Sequence, residues 1–365
     1  MSIIQSSKGQ RERYAMLKYC TSFVWDLRGP SQPFILRFRL GEVRMVRLRK
    51  RAALTALIVA LFFAGGAPSS IAQAAEGPAW PQPDPDQLES GPWKDMVLYG
   101  ERLITDTYAL VGPEVADPNM RYSGNNLTCQ NCHLDAGKRK YALPLIGVYG
   151  SFPTYMAREN EVRTLEERIN GCFERSMSGR AIPVEGREMK AMLAYIQFLS
   201  TGIPIGAPTE GRGSPPLALL ERAANPERGA EIYEINCALC HQADGQGVRN
   251  GEAGDAKGYL YPPLWGPDSF NDGAGMHRLI NAARFIRGNM PLGVTYESPI
   301  LSQEDTWDVA AYINSFPRPH RDNREADYPD RSRKPVDAPF LPFDDDFPME
   351  QHRLGPFQPI VDSRR

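Results

Sequence analysis

Three features of the sequence predict an all-α protein built from two tandem, related domains. A Cys-x-x-Cys-His run occurs twice, each time followed by Pro-Leu-x-Gly and then by a helical Ala-Tyr-Ile. Helix-capping residues flank both copies, and no convincing run of alternating apolar and polar residues marks a sheet.

In chain order, the first feature is a charge split. Residues 1–75 carry 12 Lys+Arg against 3 Asp+Glu, which leaves 30 basic and 41 acidic residues in 76–365, a net of −11. An acidic body excludes a nucleic-acid binder that works by neutralising phosphates. Arg47, Arg49, Lys50 and Arg51 precede an apolar run from Ala52 to Ala64, and Ala72-Gln73-Ala74 offers small residues for cleavage. This pattern predicts a secretory signal peptide opening at Met45, so that Cys20 is absent from the mature protein. The run is shorter than the ~20 residues a membrane span needs, so no integral span is expected in the mature form.

The first repeat, placed at 76–205, has helical patterns over Trp93–Thr107 and Arg187–Leu199 around Cys129-Gln-Asn-Cys132-His133 and Pro144-Leu-Ile-Gly147. A connector rich in Gly and Pro follows at 201–216. The second repeat, 206–320, opens with Asn225 as N-cap and Pro226 at the first helical position, a helix that runs into Cys237-Ala-Leu-Cys240-His241. Ser302 caps a last helix whose Trp307, Ala310, Ala311 and Ile313 fall near one face, ending before Pro317. The intervals from motif His to repeat Tyr, 62 and 71 residues, fit small domains. Residues 321–365, rich in Pro, Asp and Arg, are expected to form an irregular tail, either wrapping the domains through Phe340, Phe343 and Phe347 or mobile.

Chance would give about 0.001 Cys-x-x-Cys-His runs at this composition. Two are present, in a chain whose cysteines otherwise show no disulfide framework. The spacing suits covalent haem c: two thiols add to the vinyl groups and the adjacent imidazole binds the iron. Cys129, Cys132, Cys237 and Cys240 are the expected attachment points, with His133 and His241 as axial ligands. The prediction is therefore two cytochrome c-like domains, each carrying one haem.

For the second iron, Met290-Pro-Leu-Gly lies 49 residues after His241, and a Met before Pro sits on extended backbone. Met290 is the preferred second ligand, with Met276 and His277 as rivals. The first repeat offers Cys172. Thr164 and Glu167 form a capping box, and Gly179 is a plausible stop, for a helix of about 14 residues that places Arg168, Cys172 and Ser176 on one face. A packing cysteine needs no guanidinium one turn away; a reactive thiolate that meets an oxyanion does. Met177 is the alternative ligand, which would make the protein a plain electron carrier.

Arg158, the run Arg168-Ile-Asn-Gly-Cys172-Phe-Glu-Arg-Ser176-Met, both haem motifs and Met290-Pro-Leu-Gly together resemble the dihaem thiosulfate dehydrogenase family over roughly residues 85–320. The resemblance implies that Cys172 is an axial ligand at the active site, and that Arg158, Arg168 and Ser176 hold the substrate. It also implies oxidation of two thiosulfate ions to tetrathionate in the periplasm, with the reverse reaction open, and delivery of electrons to an acceptor such as another cytochrome c. Some relatives have lysine before the second-haem methionine and exchange ligands; Asn289 here favours constant His241/Met290 ligation. Joining two dianions needs fixed cations, which arginine supplies, and Cys172 is suited to carry a covalent sulfonate-bearing intermediate. Arg163 and Arg175 are weaker candidates, equally consistent with surface charges. The rival readings are the haem subunit of a sulfur-oxidising carrier-protein system and a non-catalytic dihaem shuttle.

Overall fold

The computed structural model describes residues 80–365; the expected signal peptide, its start at Met45 and Cys20 lie outside the described residues. The first repeat holds α1 (Pro92–Thr105), α2 (Thr107–Val111), α3 (Leu134–Gly137), α4 (Leu165–Arg175) and α5 (Arg187–Leu199). The second holds α6 (Pro226–Asn236), α7 (Ala238–His241), α8 (Leu279–Asn289) and α9 (Gln303–Ser315). Among the described residues no helix is long and apolar enough to cross a membrane.

The capping chemistry is in place. Asn225 accepts from the backbone N–H groups of Glu227 and Arg228, Ser302 accepts from Asp305, and Thr164 and Glu167 close a reciprocal box at the start of α4. In each repeat the first and last helices cross at a glycine. A Cβ on Gly100 would lie 2.0 Å from the Ala191 carbonyl oxygen, and one on Gly229 would lie 2.1 Å from that of Asp308. The repeated tyrosines pack at these crossings, where the Gly100 and Gly229 Cβ positions approach Cβ of Tyr195 and Tyr312. No side chain is tolerated there, so the crossing is fixed by sequence at both ends.

Around the first crossing Val97, Leu103, Ile146, Phe173, Met189, Met192, Tyr195 and Leu199 are fully buried. Around the second, Tyr233, Ala283, Trp307, Val309 and Ala310 form the core, with Trp265 stacked on Phe316 at 4.1 Å. Each large apolar side chain buried this way contributes about 1.5–3 kcal/mol.

Among the described residues two small antiparallel hairpins add to the helices. They are β1 (Thr154–Met156) with β2 (Glu161–Arg163), and β3 (Val248–Arg249) with β4 (Tyr259–Tyr261). Strands of two or three residues are too short for period-two patterning to register. The turn between β1 and β2 carries Arg158. The C-terminal segment holds α10 (Met349–Leu354) and α11 (Gln358–Ser363), where the sequence suggested only irregular chain. Phe357 and Ile360 enter the second core, Phe340 packs with Tyr328 and Ala338, and Phe343 stacks on His352 at 3.6 Å.

Helix α4 is 11 residues long, shorter than expected, and its stop differs. Ser178 takes the left-handed conformation (φ 49°), and the following Gly179 N–H returns to the Phe173 carbonyl at 2.8 Å. Gly179 is needed for closeness instead: a Cβ there would lie 2.0 Å from the Tyr122 carbonyl oxygen.

Candidate functional site

Both motif histidines are set by the same device. His133 Nδ1 donates to the Leu143 carbonyl at 2.5 Å, and His241 Nδ1 donates to the Pro262 carbonyl at 2.8 Å. A carbonyl only accepts, so Nδ1 carries the proton and Nε2 keeps the lone pair an iron requires. Each carbonyl belongs to the residue immediately before the repeated Pro-Leu-x-Gly, at Pro144 and Pro263. The repeat therefore has a chemical role that the spacing alone did not disclose. Burial lowers the pKa of both histidines and keeps them neutral.

In the first repeat Cys129, Cys132, His133, Cys172, Ser176 and Met177 line one cavity of about 330 Å³. Its other walls are mainly apolar, with Ile104, Leu127, Leu145, Val148, Phe173 and Ile196. Two thiols, an imidazole with a directed lone pair and an apolar shell are the donor set and environment of a haem c, so the residues fit that group. Phe270 and Met276 of the second repeat also reach this cavity. Met276, weighed above as a ligand in the second repeat, thus lies on the first. Its neighbour His277 donates from Nδ1 to the Asp272 carbonyl at 2.9 Å.

A second cavity of about 340 Å³ lies beside the first, and Arg168, Cys172 and Ser176 line both. Cys172 therefore stands in the wall between them, half-buried. Arg168 Nη1 lies 3.2 Å from Cys172 Sγ, as the one-turn spacing predicts. Arg158 also lines this second cavity, brought from the hairpin turn, and donates to the Gly273 carbonyl at 3.0 Å. All four residues singled out for substrate chemistry thus meet at one cavity.

Among the described residues five arginines line it: Arg158, Arg163, Arg168, Arg175 and Arg278. Three have carboxylate partners. Arg163 pairs with Glu161 and Glu167, Arg278 with the buried Asp337, and Arg175, 6% exposed, makes two 2.7 Å bonds to Asp327. Among the described residues Arg158 and Arg168 form no ion pair. Their charges are the ones left for an anion. Burial works against the charge on Arg158, but Tyr328, Asp327 and Glu159 outweigh it and hold its pKa above the ordinary arginine value. Arg175 and Arg278 are structural cations whose pairing no sequence pattern reveals, since Asp327 and Asp337 lie 152 and 59 residues away.

Met290 follows α8 in extended conformation (φ −129°, ψ 145°), against the second core that also includes Cys237. Asn289 is fully buried, and its amide donates to the carbonyls of Tyr141 and Phe285 at 3.2 and 3.1 Å. It is held by the first repeat and by its own helix.

Two covalent-haem motifs on two helix-crossing units define a cytochrome c of two domains. The SoxA/TsdA cytochrome c domain family matches residues 120–205 and the cytochrome c family matches residues 226–317. Thiosulfate dehydrogenase from Allochromatium vinosum is 39% identical over 284 residues, covering 76% of this chain and 96% of the relative. The enzyme of the same name from Stutzerimonas stutzeri is 38% identical, covering 65% of this chain and 72% of its own. A solved structure, thiosulfate dehydrogenase (TsdBA) from Marichromatium purpuratum in its "as isolated" form, superposes with a TM-score of 0.59 at 39% identity. It covers 66% of this chain, which spans half the length of that solved chain. The chain belongs to the thiosulfate dehydrogenase family, and its cytochrome c domains imply covalently bound haem c.

Proposed function

We propose that the mature protein, residues 76–365, carries two haems in domains 76–205 and 206–320, joins two thiosulfate ions into tetrathionate at Cys172, and passes the electrons to an acceptor protein such as another cytochrome c in the periplasm. One observation carries this reading: Cys172 opens both on the cavity lined by the haem-attachment residues and on the cavity where Arg158 and Arg168 stand without carboxylate partners among the described residues.

Cys129 and Cys132 would hold the first haem, with His133 and Cys172 binding its iron; Cys237 and Cys240 would hold the second, with His241 and Met290 binding its iron. When bound, the haems supply one-electron acceptor sites, and His/Met ligation raises the potential of the second. The rest is done by side chains. Arg158 and Arg168 receive a thiosulfate dianion and orient its terminal sulfur towards Sγ of Cys172. Ser176, at the C-terminus of α4, adds a hydroxyl to the same wall. An Sγ–S bond forms as two electrons leave for the acceptor, giving Cys–S–S–SO₃⁻. The terminal sulfur of a second thiosulfate attacks the sulfur bound to Sγ. The new S–S bond completes tetrathionate, the Sγ–S bond breaks, and its electron pair restores the thiolate. No proton is exchanged. The two guanidinium charges offset the repulsion of bringing the dianions together.

The test is a pair of variants. Cys172→Ala should abolish tetrathionate formation and alter the first haem's spectrum, whereas Met177→Ala should leave both intact. The opposite pattern would make Met177 the ligand and the protein a carrier.

A further inference from the structure

The arginine cavity has a wall that neither domain supplies. Tyr328 lines it, from the C-terminal segment that begins beyond the second family match, which ends at residue 317. Tyr328 is 5% exposed and takes a left-handed backbone (φ 59°), a conformation that bulky residues avoid unless their surroundings impose it. In that conformation both its backbone and its side chain meet Arg158. The Tyr328 N–H donates to the Arg158 carbonyl at 2.7 Å, Arg158 Nε donates to the Tyr328 hydroxyl oxygen at 3.4 Å, and the guanidinium lies 5.7 Å from the ring centre. The preceding residue, Asp327, neutralises Arg175.

We propose that Tyr328 is a substrate-binding residue of this site, donating its hydroxyl proton to a sulfonate oxygen of thiosulfate. The proposal rests on the cavity's being the thiosulfate site. The phenol oxygen already accepts from Arg158, so its own proton is the group left to point into the cavity. A cation donating to the oxygen also makes the O–H a stronger donor to an anion. The arrangement orients the substrate. The hard, oxygen-rich end is held by Arg158 and Tyr328, and the terminal sulfur is left towards Arg168 and Cys172. Adjacent residues of the tail thus do complementary work: Asp327 removes one cation from the cavity and Tyr328 adds a neutral donor beside another.

Tyr328→Phe removes only the hydroxyl and keeps the ring, the backbone bond and the contact with Arg158. Because the bond is to a non-reacting oxygen, the variant holoprotein should raise KM for thiosulfate about 10-fold with kcat nearly unchanged. Calorimetry with the oxidised holoprotein and tetrathionate, where no turnover occurs, should show a similar loss of affinity. Haem spectra and melting temperature should be those of the parent. If Tyr328→Phe leaves KM and tetrathionate affinity within twofold while Arg158→Leu weakens both, Tyr328 does not touch substrate and the site still stands. If neither variant weakens them, the cavity itself has been misassigned. A Phe variant that melts earlier with unchanged binding shows a structural tyrosine and also overturns the proposal.

Discussion

Replacing Arg168 by leucine should separate the proposed substrate binding from the proposed haem ligation, because the guanidinium lies 3.2 Å from Cys172 Sγ yet cannot bind iron. Arg168 has no carboxylate partner among the described residues, so its removal strands no buried anion. The loss is then that of a charge-assisted contact, about 1.5–3 kcal/mol. Arg168 is exposed, and solvent screening favours the lower part of that range. At 1.36 kcal/mol per decade, kcat/KM for thiosulfate should fall roughly 10- to 30-fold. Lysine should recover only part of the loss, since it keeps the charge without the planar fork. The assay is steady-state thiosulfate oxidation with an artificial acceptor at subsaturating substrate, with absorption spectra of both haems recorded alongside. Near-normal turnover in Arg168→Leu would refute the placement of thiosulfate beside Cys172. A large spectral change with it would mean that the arginine acts on the haem environment instead.

The two irons should be distinguishable: a thiolate-like low-spin signal should vanish in Cys172→Ala, and a methionine-sulfur feature should vanish in Met290→Ala. Gly171 sits inside α4 with nothing among the described residues within 4 Å of where a Cβ would be, so Gly171→Ala should stabilise by about 0.5–1 kcal/mol and raise the melting temperature by roughly 1–4 °C. A lower melting temperature would mean that the glycine is there for its backbone. Burial pushes the pKa of Asp308 up, but its bonds to Arg222, the Asn225 N–H and Arg228 outweigh this and hold it below the usual carboxylate value. Its stabilisation is therefore present above the unfolded carboxylate pKa and lost as pH falls through the folded one. Asp308→Asn should cost about 2 kcal/mol at neutral pH, seen as a melting temperature roughly 4–8 °C lower, and the difference should close in acid. A gap that stays constant with pH would show that charge is not the cause.

The haem-bearing framework was legible because its determinants are local. A capping box spans four residues and Cys-x-x-Cys-His spans five, so their chemistry is complete within one stretch of chain. The stripe of Arg168, Cys172 and Ser176 was legible for the same reason, since helical spacing alone puts them together. The pairing state of the arginines was not. Arg175 and Arg278 read as charges like any other until Asp327 and Asp337 are brought to them from distant chain. Tyr328 was hidden twice over, in a segment whose composition suggested irregular chain and 170 residues from the arginine it grips. The glycines at the helix crossings were also missed. They show only as Tyr99-Gly100 and Arg228-Gly229, without a shared flanking motif, and their necessity lies in a carbonyl some 80–90 residues away.

The most direct test of the central claim, that Cys172 joins a haem site to a thiosulfate site, is a product assay on the purified holoprotein with thiosulfate and a one-electron artificial acceptor. One tetrathionate should appear for every two thiosulfate ions consumed and every two acceptor molecules reduced, with no other protein present. Cys172→Ala, still carrying two covalent haems by mass spectrometry, should form none. Tetrathionate formation by Cys172→Ala at the parent rate, or a parent protein that consumes thiosulfate only when a sulfur-carrier protein is added, would contradict the account.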